Sequence, residues 1–206
     1  LRDALPVSCN LFFASLYNYI DRNDFTEYVR ALSRGFGMTI SIPRVNSNAE
    51  FALLLSGLDF RTTATVNDLM ILARVIHSGS GSNRYYSLNS GIVSLKSRQD
   101  IRDSLAKTFT IGTASSKPVS HRKDYEVDDT PGEIFRNNPD LPRMWGKTST
   151  FMHGSNSLAP YGMFIGGCEN RGIIILIRNS NGNLAAWEGR HFLLEQFQSP
   201  AENHSQ

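Results

Sequence analysis

The sequence predicts an α+β fold, with helices first and an antiparallel sheet last. Three observations carry this expectation. Apolar residues recur at helical spacing through most of the first 109 positions. Three strand-like runs then cluster between Lys147 and Arg178, and the short Glu169-Asn170-Arg171-Gly172 connection between the last two favours a hairpin. An amphipathic stretch from Trp187 to Phe197 closes the chain as a helix.

Each element has its own signal. Residues 1 to 5 read as a helix end that Pro6 interrupts, because proline lacks an amide and restricts the residue before it. Val7-Ser8-Cys9-Asn10 forms a loop, with Asn10 as N-cap of a helix over 11–20 that carries Phe12, Phe13, Leu16 and Tyr19. Phe25 to Ser33 reads as another helix, ended by Gly35-Phe36-Gly37. Residues 38 to 48 are irregular, and Ala49 to Leu55 is short and apolar, helix or strand. Thr65-Val66-Asn67-Asp68 has capping-box form ahead of an apolar run from Leu69 to Ile76, which predicts a helix. His77 to Asn83 is a Gly/Ser loop, and Gln99 to Phe109 is a helix with Ile101, Leu105 and Phe109 on one face. Gly112 to Pro142 is polar and punctuated by Pro and Gly, a long loop. Lys147 to Met152, Tyr161 to Cys168 and Gly172 to Arg178 read as strands; the closing helix turns Phe192, Leu193 and Phe197 inward.

The 206 residues suffice for one domain, placed at 1–198, with 199–206 as a frayed tail. A net charge of +2 with scattered Lys and Arg gives no footprint for nucleic acid or an anionic membrane surface. Cys9 and Cys168 make no zinc spacing, and the sequence leaves open whether they join in a disulfide. The five histidines lack ligand spacing, and Asp128, Asp129 and Glu133 read as a solvated acidic loop, so no metal or cofactor is expected. Trp145 and Trp187 are read as core or rim packing. No run approaches the roughly 20 apolar residues of a membrane-spanning helix. The chain does not begin with Met, and its first residues already read as folded sequence. The expectation is a piece of a longer precursor, with any export signal or anchor upstream.

The most informative stretch is Trp145-Gly146-Lys147-Thr148-Ser149-Thr150, a lysine between a glycine and a run of hydroxyls. With other segments it resembles the penicillin-binding proteins, the serine D,D-transpeptidases. Leu1-Arg2-Asp3-Ala4-Leu5-Pro6-Val7-Ser8-Cys9-Asn10 resembles that family's Ser-x-Asn box and the helix end before it. Gly35-Phe36-Gly37 resembles the glycine-rich segment that follows, and Gly112-Thr113-Ala114 the element preceding the third box. Gly146-Lys147-Thr148-Ser149-Thr150 resembles that third box, Lys-Thr-Gly, and Tyr161 to Gly167 the strand after it. The elements stand in family order and cover most of the chain. A further Ser-x-Asn, at Ser87-Leu88-Asn89, is given no role.

The resemblance implies a β-lactamase/transpeptidase-like fold lacking its N-terminal part, and acyl transfer on peptidoglycan stem peptides ending in D-Ala-D-Ala. It implies an extracytoplasmic protein whose partners are a stem peptide or β-lactam and the upstream segment of its own precursor. Ser8 would relay a proton to the leaving amine and Lys147 would supply positive charge to the same relay. Asn10 would donate to the substrate's amide carbonyl. Thr148 and Ser149 would offer hydroxyls to a carboxylate, and the amide of Thr150 would serve the oxyanion. The strand edge would pair with the peptide backbone.

Two departures qualify this. The nucleophile motif Ser-x-x-Lys belongs ahead of Ser8, and the matches present, Ser104-Leu105-Ala106-Lys107 and Ser120-His121-Arg122-Lys123, fall elsewhere. Ser149 replaces a glycine that lets substrate approach the strand. This chain alone is therefore expected to be inactive, or to need a complementing N-terminal segment. Two other readings stay open. One is a non-catalytic peptidoglycan-binding or scaffold relative. The other is a structural component of an envelope assembly with no ligand. The residues do not separate transpeptidase from carboxypeptidase or β-lactamase.

Overall fold

A computed structural model describes residues 2–77, 93–115, 144–152, 159–168 and 171–198. It divides into two compact units, Leu1–Ser104 and Leu105–Gln206. The architecture is α+β, as the order of elements predicted.

In the first unit, residues 2–8 form turns rather than a helix end. Pro6 is fully buried and brings no amide, and the backbone closes instead through Ser8 N to Leu5 O (3.2 Å) and Cys9 N to Ala4 O (2.9 Å). Helix α1 runs Asn10–Ser15 and continues as a 3₁₀ turn over Leu16–Asn18. It is shorter than the predicted 11–20. Ser15 Oγ donates to Phe12 O and Asn18 Nδ2 to Ser15 O, and such local bonds compete with helix propagation. Asn10 is not the cap: it lies inside the helix, and Cys9 holds the cap position without a side-chain bond.

Helix α2 spans Arg22–Phe36, extending beyond the predicted 25–33 at both ends. Asp21 starts it by accepting from Asn23 N (2.7 Å) and Asp24 N (3.1 Å). Gly37, at φ +67°, ends it in the left-handed conformation that glycine adopts without penalty. Helix α3, Asn48–Leu55, settles the ambiguous apolar segment; Ser47 caps it through Glu50 N (3.2 Å).

Helix α4, Val66–His77, begins with the capping box seen in sequence: Asp68 N donates to Thr65 Oγ1 and Thr65 N to Asp68 Oδ2. Asp68 also accepts from Thr39 N (2.8 Å), which ties the strap after α2 to the start of α4. Helix α5, Leu95–Ala106, starts four residues before the predicted Gln99 because Ser94 accepts from Ser97 N; Lys107–Phe109 continues it as a 3₁₀ turn. Phe36, Met38 and Val75 form a buried cluster, packed by Leu32, Ile71 and Leu72.

Among the described residues, the second unit is a sheet backed by a helix. Strands β1 (Met144–Met152), β2 (Pro160–Cys168) and β3 (Arg171–Arg178) pair antiparallel in the order β1-β2-β3. Helix α6 covers Gly182–Gln198, starting five residues before the predicted Trp187. Ala185, Ala186, Trp187, Arg190 and Leu193 are buried on it; Leu193 points inward as expected, whereas Phe192 is half exposed, which corrects that part of the expected inward face. Phe197 lies among residues whose side chains are not described.

The core centres on Phe164, with no exposed surface, whose ring meets Phe109 edge-on at 5.7 Å. Three glycines hold it: a Cβ added at Gly146, Gly166 or Gly189 would stand 2.1, 2.4 or 2.5 Å from the ring. Trp145 and Trp187 are buried, in keeping with a packing role. Cys9 is half-buried and Cys168 buried, and they form no disulfide.

Candidate functional site

Strand β1 displays the candidate residues in alternation, because successive side chains of a strand point to opposite faces. Gly146, Thr148 and Thr150 register with Gly166, Phe164 and Gly162 on the face that α6 covers. Lys147 and Ser149 register with Ile165 and Met163 on the other face. Among the described residues β1 pairs on one side only, with β2, which leaves its other edge as a row of backbone donors and acceptors.

Lys147 is half-buried, and its Nζ donates to Thr148 O at 2.8 Å. Burial pushes its ammonium below the ordinary lysine range, since a charged group loses solvation there. Ser149, on the same face, is also half-buried. These two side chains form the polar part of that face of the strand.

Thr148 and Thr150 are placed differently. Thr148 is buried, with its Oγ1 2.5 Å from Thr113 Oγ1. Thr150 Oγ1 accepts from Gly182 N at 3.0 Å, so this hydroxyl serves as an acceptor for the first amide of α6. That approach requires glycine at 182: a Cβ there would stand 2.8 Å from Ser149 O and 2.9 Å from Ser149 N. Neither hydroxyl contact was legible in the sequence. The Gly112-Thr113-Ala114 element stood out as a motif, but the partner of its hydroxyl depends on folding across 35 residues.

Ser8 and Asn10 belong to the first unit, and the four residues of β1 to the second. Ser8 sits at φ +52°, left-handed backbone that a non-glycine residue adopts at a cost of about 1–2 kcal/mol. Residues held in such conformations cluster at functional positions. Asn10 is exposed at the first turn of α1.

The later Ser-x-x-Lys matches separate clearly. Ser104 is buried, and its Oγ donates to Arg2 O at 3.0 Å, tying α5 to the N-terminal turns. Ser120-His121-Arg122-Lys123 lies outside the described residues, as do Ser87-Leu88-Asn89 and the acidic residues Asp128, Asp129 and Glu133. Among the described residues no group of His, Cys, Asp and Glu is arranged to hold a metal ion, and no helix is long and apolar enough to cross a membrane. No family model matches the sequence, and no curated protein matches it.

Proposed function

We propose that this chain is the C-terminal part of a penicillin-binding, D,D-transpeptidase-like domain that transfers acyl groups on peptidoglycan stem peptides outside the cytoplasm. The observation that carries the reading is β1 itself. It is an edge strand among the described residues, with Lys147 and Ser149 half-buried on one face and the hydroxyls of Thr148 and Thr150 fixed on the other. An open edge is the structural requirement for adding a peptide as a further strand.

In this reading a serine Oγ attacks the carbonyl of the penultimate D-alanine, and the bond to the terminal D-alanine nitrogen breaks. The serine's proton passes through Ser8 to that leaving amine, and an acyl-enzyme remains. Lys147 supplies positive charge that supports proton transfer and draws the anionic peptide terminus. Asn10 orients the peptide amide, Ser149 faces the substrate carboxylate, and the Thr150 amide stabilises the oxyanion. Thr148 acts by holding β1 to Thr113. The nucleophile is a Ser-x-x-Lys serine ahead of Ser8 in chain order. The finer fold assignment, β-lactamase/transpeptidase-like, belongs to the same proposal; the reaction uses no metal or organic cofactor.

The second reading, a non-catalytic peptidoglycan-binding relative, is favoured by one observation. Ser104, a serine of this chain in Ser-x-x-Lys context, has its hydroxyl buried and donated to Arg2 O. Intact mass after incubation with a broad-spectrum β-lactam separates the two, using this chain and its longest natural precursor. An adduct of one β-lactam on the precursor alone supports the enzyme. No adduct on either, with both folded and ligand binding sensitive to Lys147→Ala, supports the binder. Partner binding that is indifferent to Lys147→Ala, again without an adduct, removes both.

A further inference from the structure

The first unit carries a polar cleft that the transpeptidase reading does not use. It encloses about 810 Å³, a volume typical of small-molecule sites. One wall is the start of α2 with Tyr17 before it; the other is the strap 42–48. Arg22 spans the two walls, donating to Asn48 Oδ1 at 2.9 Å and to Val45 O at 3.4 Å. The strap is fixed in turn by Glu50, whose Oε2 accepts from Asn46 N at 2.7 Å while Ser47 accepts from Glu50 N. The cleft is thus cross-braced before any ligand enters, and preorganisation lowers the cost of binding.

Its charges are unbalanced. Arg22, Arg30 and Arg44 line it against Asp21 and Glu27. Glu27 pairs with Arg30 at 2.6 Å, and Asp21 is engaged by the amides of Asn23 and Asp24. Arg22 bonds only neutral oxygens in the contacts above, and Arg44 is exposed with no carboxylate in ion-pair distance among the described residues. Two guanidinium forks therefore line a cleft beside the Asn23, Asn46 and Asn48 carboxamides and the Thr26 hydroxyl, and guanidinium matches carboxylate in shape and charge. Asn46 and Asn48 suit hydroxyls, and Tyr17 offers an exposed aromatic surface.

We propose that this cleft binds a small acidic saccharide, its carboxylate held by Arg22 and Arg44 and its hydroxyls by the asparagine side chains. The proposal lies wholly within the first unit and stands or falls separately from acyl transfer. The test is NMR titration of the full chain with glucuronate and, in parallel, with glucose, following the Arg Nε and Asn side-chain amide signals. Glucuronate shifts the signals of Arg22, Arg44, Asn46 and Asn48 saturably, and glucose at the same concentration binds at least about tenfold more weakly. Arg44→Ala weakens glucuronate by about tenfold, and Arg44→Lys restores part of the loss. Equal binding of glucose and glucuronate overturns the proposal. So does the absence of shifts at these residues, or unchanged glucuronate affinity in folded Arg44→Ala.

Discussion

Replacing Gly146 by alanine puts a methyl group where the Phe164 ring already stands. The new Cβ would lie 2.1 Å from Phe164 Cε2 and 2.5 Å from Cζ, whereas carbon atoms in contact prefer about 3.5–4.0 Å. The ring must retreat by more than an ångström, and it has nowhere to go. Gly166 and Gly189 bring backbone against its other edges, and Phe109 closes the remaining side. The cost belongs at the upper end of overpacking, about 3 kcal/mol. Phe164→Leu deletes the obstructing ring atoms, and alone it loses part of the about 3–5 kcal/mol of a full Phe→Ala truncation. Combined, the two changes relieve each other, so the double variant is more stable than the sum of the singles by about 1–3 kcal/mol. Both tryptophans of the chain, Trp145 and Trp187, lie in the second unit, so urea unfolding followed by tryptophan fluorescence reports on that unit alone. Gly146→Ala within 0.5 kcal/mol of the parent, or strict additivity in the cycle, a threshold of about the usual scatter between independent sites, refutes the caging of Phe164.

Lys147 predicts a pH effect on the same unit. Burial lowers its folded pKa below the ordinary lysine value, so the unfolded chain binds more protons between the two and stability rises with pH across that window. Fluorescence-detected unfolding at pH 8 and pH 10 shows the increase, and Lys147→Met removes that contribution; a parent that loses stability through Lys147 over this range contradicts the burial argument. Asp68 predicts the opposite end of the scale. The amides of Thr39 and Thr65 hold its carboxyl down to about 2, so its contribution is complete above the usual carboxylate range and is lost as pH falls through about 2. The amide proton shifts of Thr39 and Thr65 titrate with a midpoint near that value, and a midpoint near 4 removes the hub. Thr150→Val deprives the Gly182 amide of its acceptor and costs the second unit about 1 kcal/mol, whereas Thr150→Ser retains the bond. Equal unfolding midpoints for the two variants would mean that water serves Gly182 as well.

The elements that sequence reading placed best are those whose signals are local. The Thr65–Asp68 capping box, the Gly37 stop and the strand-like runs with their short connection all depend on residues a few positions apart. The start of α6 was missed because its inner face is built from Gly182, Ala185, Ala186, Gly189 and Arg190, small or charged residues that carry no apolar stripe. The same smallness lets the helix sit directly on Phe164, so the large residue Phe192 turns outward. At the candidate site the strand itself was legible, and so was the lysine's neighbourhood of hydroxyls. The division of labour among those hydroxyls was not. Thr148 and Thr150 have partners at Thr113 and Gly182, and no spacing rule encodes bonds between segments so far apart in the chain.

Among the described residues the sheet joins its strands in chain order, each to its immediate successor. Cys168 pairs with Arg171, so β2 and β3 are joined by contacts local in sequence, which cost little loop-closure entropy. A Cβ on Gly162 would stand 2.0 Å from Asn181 O, so the turn into α6 lies directly on the backbone of β2 and seats only against a formed strand surface. The order of assembly expected from these contacts is hairpin first and the seating of α6 second. In a stopped-flow refolding experiment the hairpin amides gain protection first, and the tryptophan signal, which needs α6 seated, follows.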